Sequence, residues 1–247
     1  MAKSGGLGDQ LYVAGYDLSG DVGAIQSLHG GPAPLVVTGI NASAPERLGG
    51  RRDGGIEFNS FLNDAALHEH VALSPLPTAD VHLLYCRGTT LGNPGAGMVA
   101  KQVNYDWSLG ADGALLGSVQ ALANGYGLEM GRLLTAGKRT DTVATNGSSI
   151  DDAASSAFGL QMYWQLFSFA GTSVTIKIQE SSDNGGGDAF ADVVGATSGA
   201  LTALGAGRAA TASGLSVERY LRCVTTGTFS SAVFAVLVVR NATEVVF

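Results

Sequence analysis

Two glycine-rich stretches carry the spacing that cradles a dinucleotide pyrophosphate, Gly95-Ala96-Gly97-Met98-Val99-Ala100 and Gly205-Ala206-Gly207-Arg208-Ala209-Ala210. That chemistry needs the glycines to open a helix whose N-terminal N–H groups receive the phosphates. The first stretch instead runs into an alternating, strand-like sequence, and the second into Thr211-Ala212-Ser213-Gly214. From Gly131 to Gly137-Lys138-Arg139 the phosphate-loop spacing is also missed, with Arg where Ser or Thr should stand. His68-Glu69-His70, with His82 nearby, invites a zinc reading. On a helix, however, residues two apart point about 200° from each other and cannot share one ion. Asp183-Asn184-Gly185-Gly186-Gly187-Asp188 and Asp192 offer carboxylates to a hard cation, but the spacing fits no EF-hand and the motif is an ordinary hairpin tip. Asp151-Asp152 lie in a polar stretch where nothing should shift a pKa, and Ser148 and Ser149 have no His-Asp partners. Tyr163, Trp164, Phe167 and Phe169 could stack on a sugar, though a core strand explains them more simply. No catalytic residue, cofactor site or metal site is expected, and the chain reads as a non-enzyme.

The elements that would position any site are β. Of 247 residues only 14% are charged, well below the usual ~25%. Thirty-six are glycine, interleaved with apolar runs, the pattern of many strands joined by turns. A net charge of -7, with no basic cluster beyond Arg51-Arg52 and Lys138-Arg139, excludes a surface built to grip phosphates. Cys86 and Cys223 leave open one long-range disulfide, with two free, buried thiols the preferred reading. Residues 1–6 lack the apolar region of a signal peptide, and the longest apolar run, 232–239, is too short to cross a bilayer as a helix. Synthesis in the cytoplasm without membrane association is therefore expected.

Along the chain, residues 1–32 read as an extended Gly-rich arm that orders against a neighbour. Residues 33–140 read as a β domain, with strands at 35–38, 56–59 and 81–86, a turn at Asp53-Gly54-Gly55, and a short helix over 64–73 capped by Asn63. Residues 99–107 alternate most cleanly: Val99, Val103, Tyr105 and Trp107 on one face, Gln102, Asn104 and Asp106 on the other. A turn at 110–113 leads into a partner strand over 114–122, completing a hairpin. Residues 141–156 read as a linker. Residues 157–247 carry about six strand-like runs, 158–169, 174–181, 190–194, 208–212, 217–225 and 229–239, read as a second β-sandwich.

The order Val37-Thr38-Gly39-Ile40, Glu46-Arg47-Leu48-Gly49-Gly50 and Asp53-Gly54-Gly55-Ile56-Glu57-Phe58 is one half of a resemblance. Gln102-Val103-Asn104-Tyr105-Asp106, Asp112-Gly113, Ala121-Leu122-Ala123-Asn124-Gly125 and Leu134-Thr135-Ala136-Gly137 continue it. Over about residues 10–140 the chain resembles the major tail (tail tube) proteins of long-tailed bacteriophages. Residues 155–247 resemble β-sandwiches joined to phage structural proteins, on Thr175-Ile176-Lys177-Ile178-Gln179-Glu180-Ser181, Ala191-Asp192-Val193 and Arg219-Tyr220-Leu221-Arg222. The resemblance implies a mainly β, tail-tube-like sandwich or barrel with one short helix, followed by a second β-sandwich. It implies a structural virion protein, assembled in the host bacterial cytoplasm, with itself and other phage tail proteins as partners. Its copies would form stacked hexameric rings around a hollow tube, through which DNA passes without specific binding. Glu57, Asn59, Gln102, Asn104 and Asp106 would face the channel, repelling phosphate. The competing expectation is a capsid decoration or carbohydrate-binding module built on the C-terminal sandwich.

Overall fold

The computed structural model describes residues 5–245. Thirteen strands and one short helix follow one another: β1 (Gln10–Val13), β2 (Tyr16–Asp17), β3 (Val22–Val36), β4 (Arg47–Phe61), α1 (Glu69–Leu73), β5 (Val81–Cys86), β6 (Pro94–Leu109), β7 (Leu115–Leu133), β8 (Arg139–Asp141), β9 (Asn146–Asp151), β10 (Leu160–Ser181), β11 (Ala191–Leu201), β12 (Gly205–Ala210) and β13 (Tyr220–Arg240). The chain is mainly β, as its composition requires. Every described pairing between named strands is antiparallel, and the strands link into one branched sheet.

The sheet builds two cores. In the N-terminal part, β3, β4, β7, β6, β5 and β1 lie side by side and curl around Leu11, Ile56, Phe58, Leu83, Met98 and Val119, with Leu73 of α1 among them. The curl does not close. An open cleft of about 560 Å³ separates Asp9–Leu11 from Val22–Leu28, and among the described residues the outer edge of β3 carries no strand. In the C-terminal part, Leu160, Met162, Ile176, Ile178, Phe234 and Val236 form the second core. Tyr12, Leu84, Leu133, Tyr163, Phe167 and Leu237 pack as a third cluster drawn from both parts and join them. Each buried aliphatic side chain contributes roughly 1.5–3 kcal/mol.

Several elements depart from the sequence reading. Residues 10–13, expected in an arm, pair with β5 and are mostly buried, and 22–32 form most of β3. Residues 1–4 of that expected arm lie outside the described residues. The expected linker 141–156 contains β9, which pairs with β13. The expected turn at 53–55 is continuous strand. Its glycines serve close packing, since a Cβ on Gly54 would lie 2.7 Å from the Leu128 nitrogen. The runs 158–169 and 174–181 are one strand, β10, paired with β13 from Leu160↔Arg240 to Ser181↔Tyr220. The pairing shifts register on both sides of Gly171 (φ 150°), a bulge that other residues rarely tolerate, and Gly227 (φ 119°) lies against β10, where a Cβ would fall 2.3 Å from the Ser173 carbonyl oxygen. The helix shrinks to Glu69–Leu73 because Leu67, at φ 66°, breaks it. Cys86 and Cys223 are free and buried.

Candidate assembly surface

Four strands, β3, β4, β7 and β6, form a sheet with one face on the N-terminal core. The opposite face carries a polar patch, flanked by exposed Phe61 at one end and Leu122 at the other. Glu57, Gln120 and Asn104 stand directly opposite one another across three strands, and Asn59, Ser118 and Asp106 make the next row. Their side chains are joined: Gln120 Nε2 donates to Glu57 Oε1 at 2.8 Å, the Gln120 N–H to Asn104 Oδ1 at 2.7 Å, and Asn104 Nδ2 to Asp106 Oδ2 at 2.7 Å. Cross-strand neighbours of this kind hold each other's rotamers. Four of the five residues singled out from the sequence thus share one face.

Gln102 does not. It pairs with Ala121 on the core side, is buried, and donates Nε2 to the Leu73 carbonyl at 2.8 Å, satisfying a carbonyl at the end of α1. The cause is a register shift between Gln102 and Asn104, which leaves Val103 as an extra, exposed residue. One inserted residue inverts every side chain on one side of it. Gln120 and Ser118, which complete the polar face, were not picked out from the sequence. Their alternation with Val119 and Ala121 was the available signal.

The second feature is an arm. The β4–β7 pairing ends at Gly55, residues 52–54 still pack against Gly127 and Leu128 of β7, and past them β3 and β4 continue as a two-stranded hairpin through Pro32, Leu35↔Leu48 and Val36↔Arg47. Among the described residues, Leu35, Val36, Val37, Ile40 and Leu48 are left exposed. Two-stranded ribbons are marginal alone in water, and exposed apolar residues on one mark a contact surface. Pro32 and Pro34 sit where an edge strand tolerates a missing donor.

At the opposite end of this sheet, a polar network fastens α1 and the loop before it. Asp21 accepts Asn63 Nδ2 at 2.8 Å and the Glu69 N–H at 3.2 Å, and bonds His68 Nδ1 at 2.8 Å. Burial pushes the Asp21 carboxyl up, but these bonds prevail and hold it below the usual carboxylate value. Buried Glu69 accepts the Ser60 hydroxyl at 2.6 Å and the Tyr105 hydroxyl at 2.8 Å. Asn63 therefore ties a loop to Asp21 rather than capping a long helix.

The other motifs have structural roles. Gly95 and Gly97 lie in β6, where a Cβ on Gly97 would fall 2.4 Å from the Tyr163 ring. Gly205 and Gly207 lie in β12, with Gly207 beneath the Trp164 ring. His68 and His70 turn to different partners, Asp21 and the Tyr105 hydroxyl, and no group of three His, Cys, Asp or Glu converges among the described residues. Asp183 accepts backbone N–H groups of Gly186, Gly187 and Asp188, which hold it below the usual carboxylate range. Asp192 bonds Lys177 and Gln179. Asp151 pairs with Arg219, and Asp152 with Arg132 and Arg240. Tyr163 and Phe167 are buried in the joining cluster. No helix among the described residues is long and apolar enough to cross a membrane.

No family model and no curated protein matches the chain. Among solved structures it is similar to the SPP1 Dit protein, described as a hub of the adsorption apparatus in phages that infect Gram-positive hosts. That likeness has 10% identity and a TM-score of 0.32, covering 94% of this chain and 99% of that one. A chain of the phage p2 baseplate in its activated conformation with Sr is similar at 8% identity and a TM-score of 0.34, covering 96% and 99%. Likeness at this level does not establish a common fold.

What the surface can do follows from its own chemistry. It has a polar patch on a sheet face, a strand edge unpaired among the described residues and an apolar arm.

Proposed function

We propose that this chain is a structural subunit of a phage tail, assembling with copies of itself into hexameric rings that stack into a hollow tube for DNA passage. The observation that carries this reading is the β3–β4 arm, whose apolar residues Leu35, Val36, Ile40 and Leu48 are exposed in the single chain. The unpaired outer edge of β3 adds a row of backbone donors and acceptors that a neighbouring copy would satisfy. The resemblance over residues 10–140 supplies the tail context. In this arrangement the face bearing Glu57, Asn59, Asn104 and Asp106 lines the channel, where carboxylates keep phosphates from binding. Other tail proteins contact the ends of the tube.

Negative-stain microscopy of the purified full chain tests the proposal. Hollow filaments built of six-fold rings are expected. Single rings that never stack would move the assignment to a ring at one end of the tail, and monomers at high concentration would end the assembly reading.

A further inference from the structure

Asparagine followed by glycine occurs three times in the chain, at Asn124-Gly125, Asn146-Gly147 and Asn184-Gly185. In such a pair the glycine nitrogen can reach the side-chain carbonyl carbon of the asparagine, because no Cβ restricts the backbone. The reaction needs an exposed amide, a backbone free to turn, and a glycine N–H not committed elsewhere. The fold treats the three pairs differently.

Gly185 is committed. Its N–H donates to Ser181 Oγ at 2.8 Å, Ser181 is wholly buried, and Asn184 Oδ1 accepts the Ser149 hydroxyl at 2.6 Å. Gly147 lies in β9, pressed between its neighbours: a Cβ there would fall 2.1 Å from Arg139 Nη1 and 2.6 Å from the Cys223 carbonyl oxygen. Asn124 and Gly125 sit where β7 leaves its ladder. Ala123 pairs with Ala100 and Leu128 with Met98, so residues 124–127 stand opposite Val99 alone and form an excursion. Both residues are exposed, Gly125 has a φ of 89°, and a Cβ on it would meet nothing within 4 Å. The Asn124 amide is held by a solvent-exposed bond, Nδ2 to Asp80 Oδ1 at 2.8 Å, and exposed bonds of this kind exchange readily for bonds to water.

We infer that Asn124 is a site of spontaneous deamidation in the folded protein. The Gly125 nitrogen bonds to Asn124 Cγ, the Cγ–Nδ2 bond breaks, and ammonia leaves carrying the proton from Gly125. Water then opens the five-membered imide at either carbonyl, giving aspartate or isoaspartate. In sum, one water is consumed and one ammonia released. The product bears a carboxylate beside Asp80, which already pairs with Lys101 Nζ at 2.8 Å. A donor is lost and a like charge gained, so the tie between β7 and the residues before β5 is released.

The test uses the full folded chain, aged at neutral pH and then digested with trypsin. Cleavage after Lys101, Arg132, Arg139, Lys177 and Arg208 places the three pairs in separate peptides, 102–132, 140–177 and 178–208. Tandem mass spectrometry should find the one-dalton gain at Asn124 on the order of tenfold sooner than at Asn146 or Asn184, whose glycines must first be freed by local opening. In urea, where the fold is lost, all three should convert at similar rates. Asn146 or Asn184 converting first in the folded chain, or all three keeping pace there, would overturn the assignment. So would an Asn124 that stays intact in the folded chain for as long as full conversion takes in urea.

Discussion

Arg208 and Glu129 meet as a two-pronged ion pair at the junction of the two cores, Nε to Oε2 at 2.7 Å and Nη2 to Oε1 at 3.2 Å, with both side chains almost wholly buried. The Tyr163 hydroxyl also donates to Oε2, and the Arg208 guanidinium lies over the Tyr126 ring at 3.9 Å. β7, β10 and β12 are thereby fixed to one another. Removing one partner of such a pair leaves an uncompensated buried charge, at a cost of about 3–5 kcal/mol. Glu129→Ala and Arg208→Ala should each lower stability by that amount in urea unfolding. Glu129→Leu with Arg208→Met should cost clearly less than either single change. Equal losses from all three would mean that packing, not charge, holds the junction.

Asp21 makes stability pH-dependent in a defined direction. Its folded-state pKa lies below the ordinary 3.8, with Asn63, His68 and the Glu69 N–H outweighing burial. The folded state therefore binds this proton less readily than the unfolded state. The stabilisation is fully present above the unfolded pKa and is lost as pH falls through the folded one. Melting temperatures from pH 6 downwards should fall for wild type and fall less steeply for Asp21→Asn, which starts lower. Parallel profiles for the two would show that the carboxylate is not the titrating group.

Gly97 and Gly171 should resist even alanine. A Cβ at Gly97 would enter the Tyr163 ring at 2.4 Å, and one at Gly171 would lie 2.4 Å from the Phe229 Cα at a φ of 150°. Overpacking of this kind costs about 1–3 kcal/mol, and the strained φ adds to it at Gly171. Chemical denaturation of both alanine variants would reveal the loss. An unchanged midpoint for Gly97→Ala would mean that Tyr163 moves aside freely.

These glycines also explain what the sequence could and could not reveal. Runs such as Val174-Thr175-Ile176-Lys177-Ile178 and 233–239 were legible as strands because one face or both are buried. Gly54, Gly55, Gly171 and Gly227 look like turn residues in a list of letters, yet they let strands bend or touch. Two long strands were therefore read as four short ones. Period-two reasoning placed Glu57 and Asn59 on one face and Asn104 and Asp106 on one face, and the structure joins both pairs through Gln120 and Ser118. It failed at Gln102 because a bulge at Val103 leaves no mark in the spacing of apolar residues. The arm was misplaced for a similar reason: β3 begins within a segment whose glycines suggested a loose leader, while Leu11 to Val13 ahead of it are core.

Charge on the polar sheet face sets the last prediction. Glu57→Lys with Asp106→Lys alters side chains that pack on polar neighbours, so tubes should still assemble. If this face lines a channel as proposed, DNA ejection from particles carrying the double change should slow, because cations inside a channel retain phosphates. Infectivity equal to wild type in particles of normal length would remove these two residues from the channel wall.

The position of β13 in the chain has a consequence for timing. It is synthesised after β7, β8, β9 and β10, yet it pairs with all four. Until it leaves the ribosome, the C-terminal core lacks its central strand and the joining cluster lacks Ala235, Leu237 and Val239. Long-range pairing of this kind is slow to form and leaves nascent edges open to aggregation. A chain that stops short of β13 therefore leaves the apolar side chains of both the C-terminal core and the joining cluster without their partners.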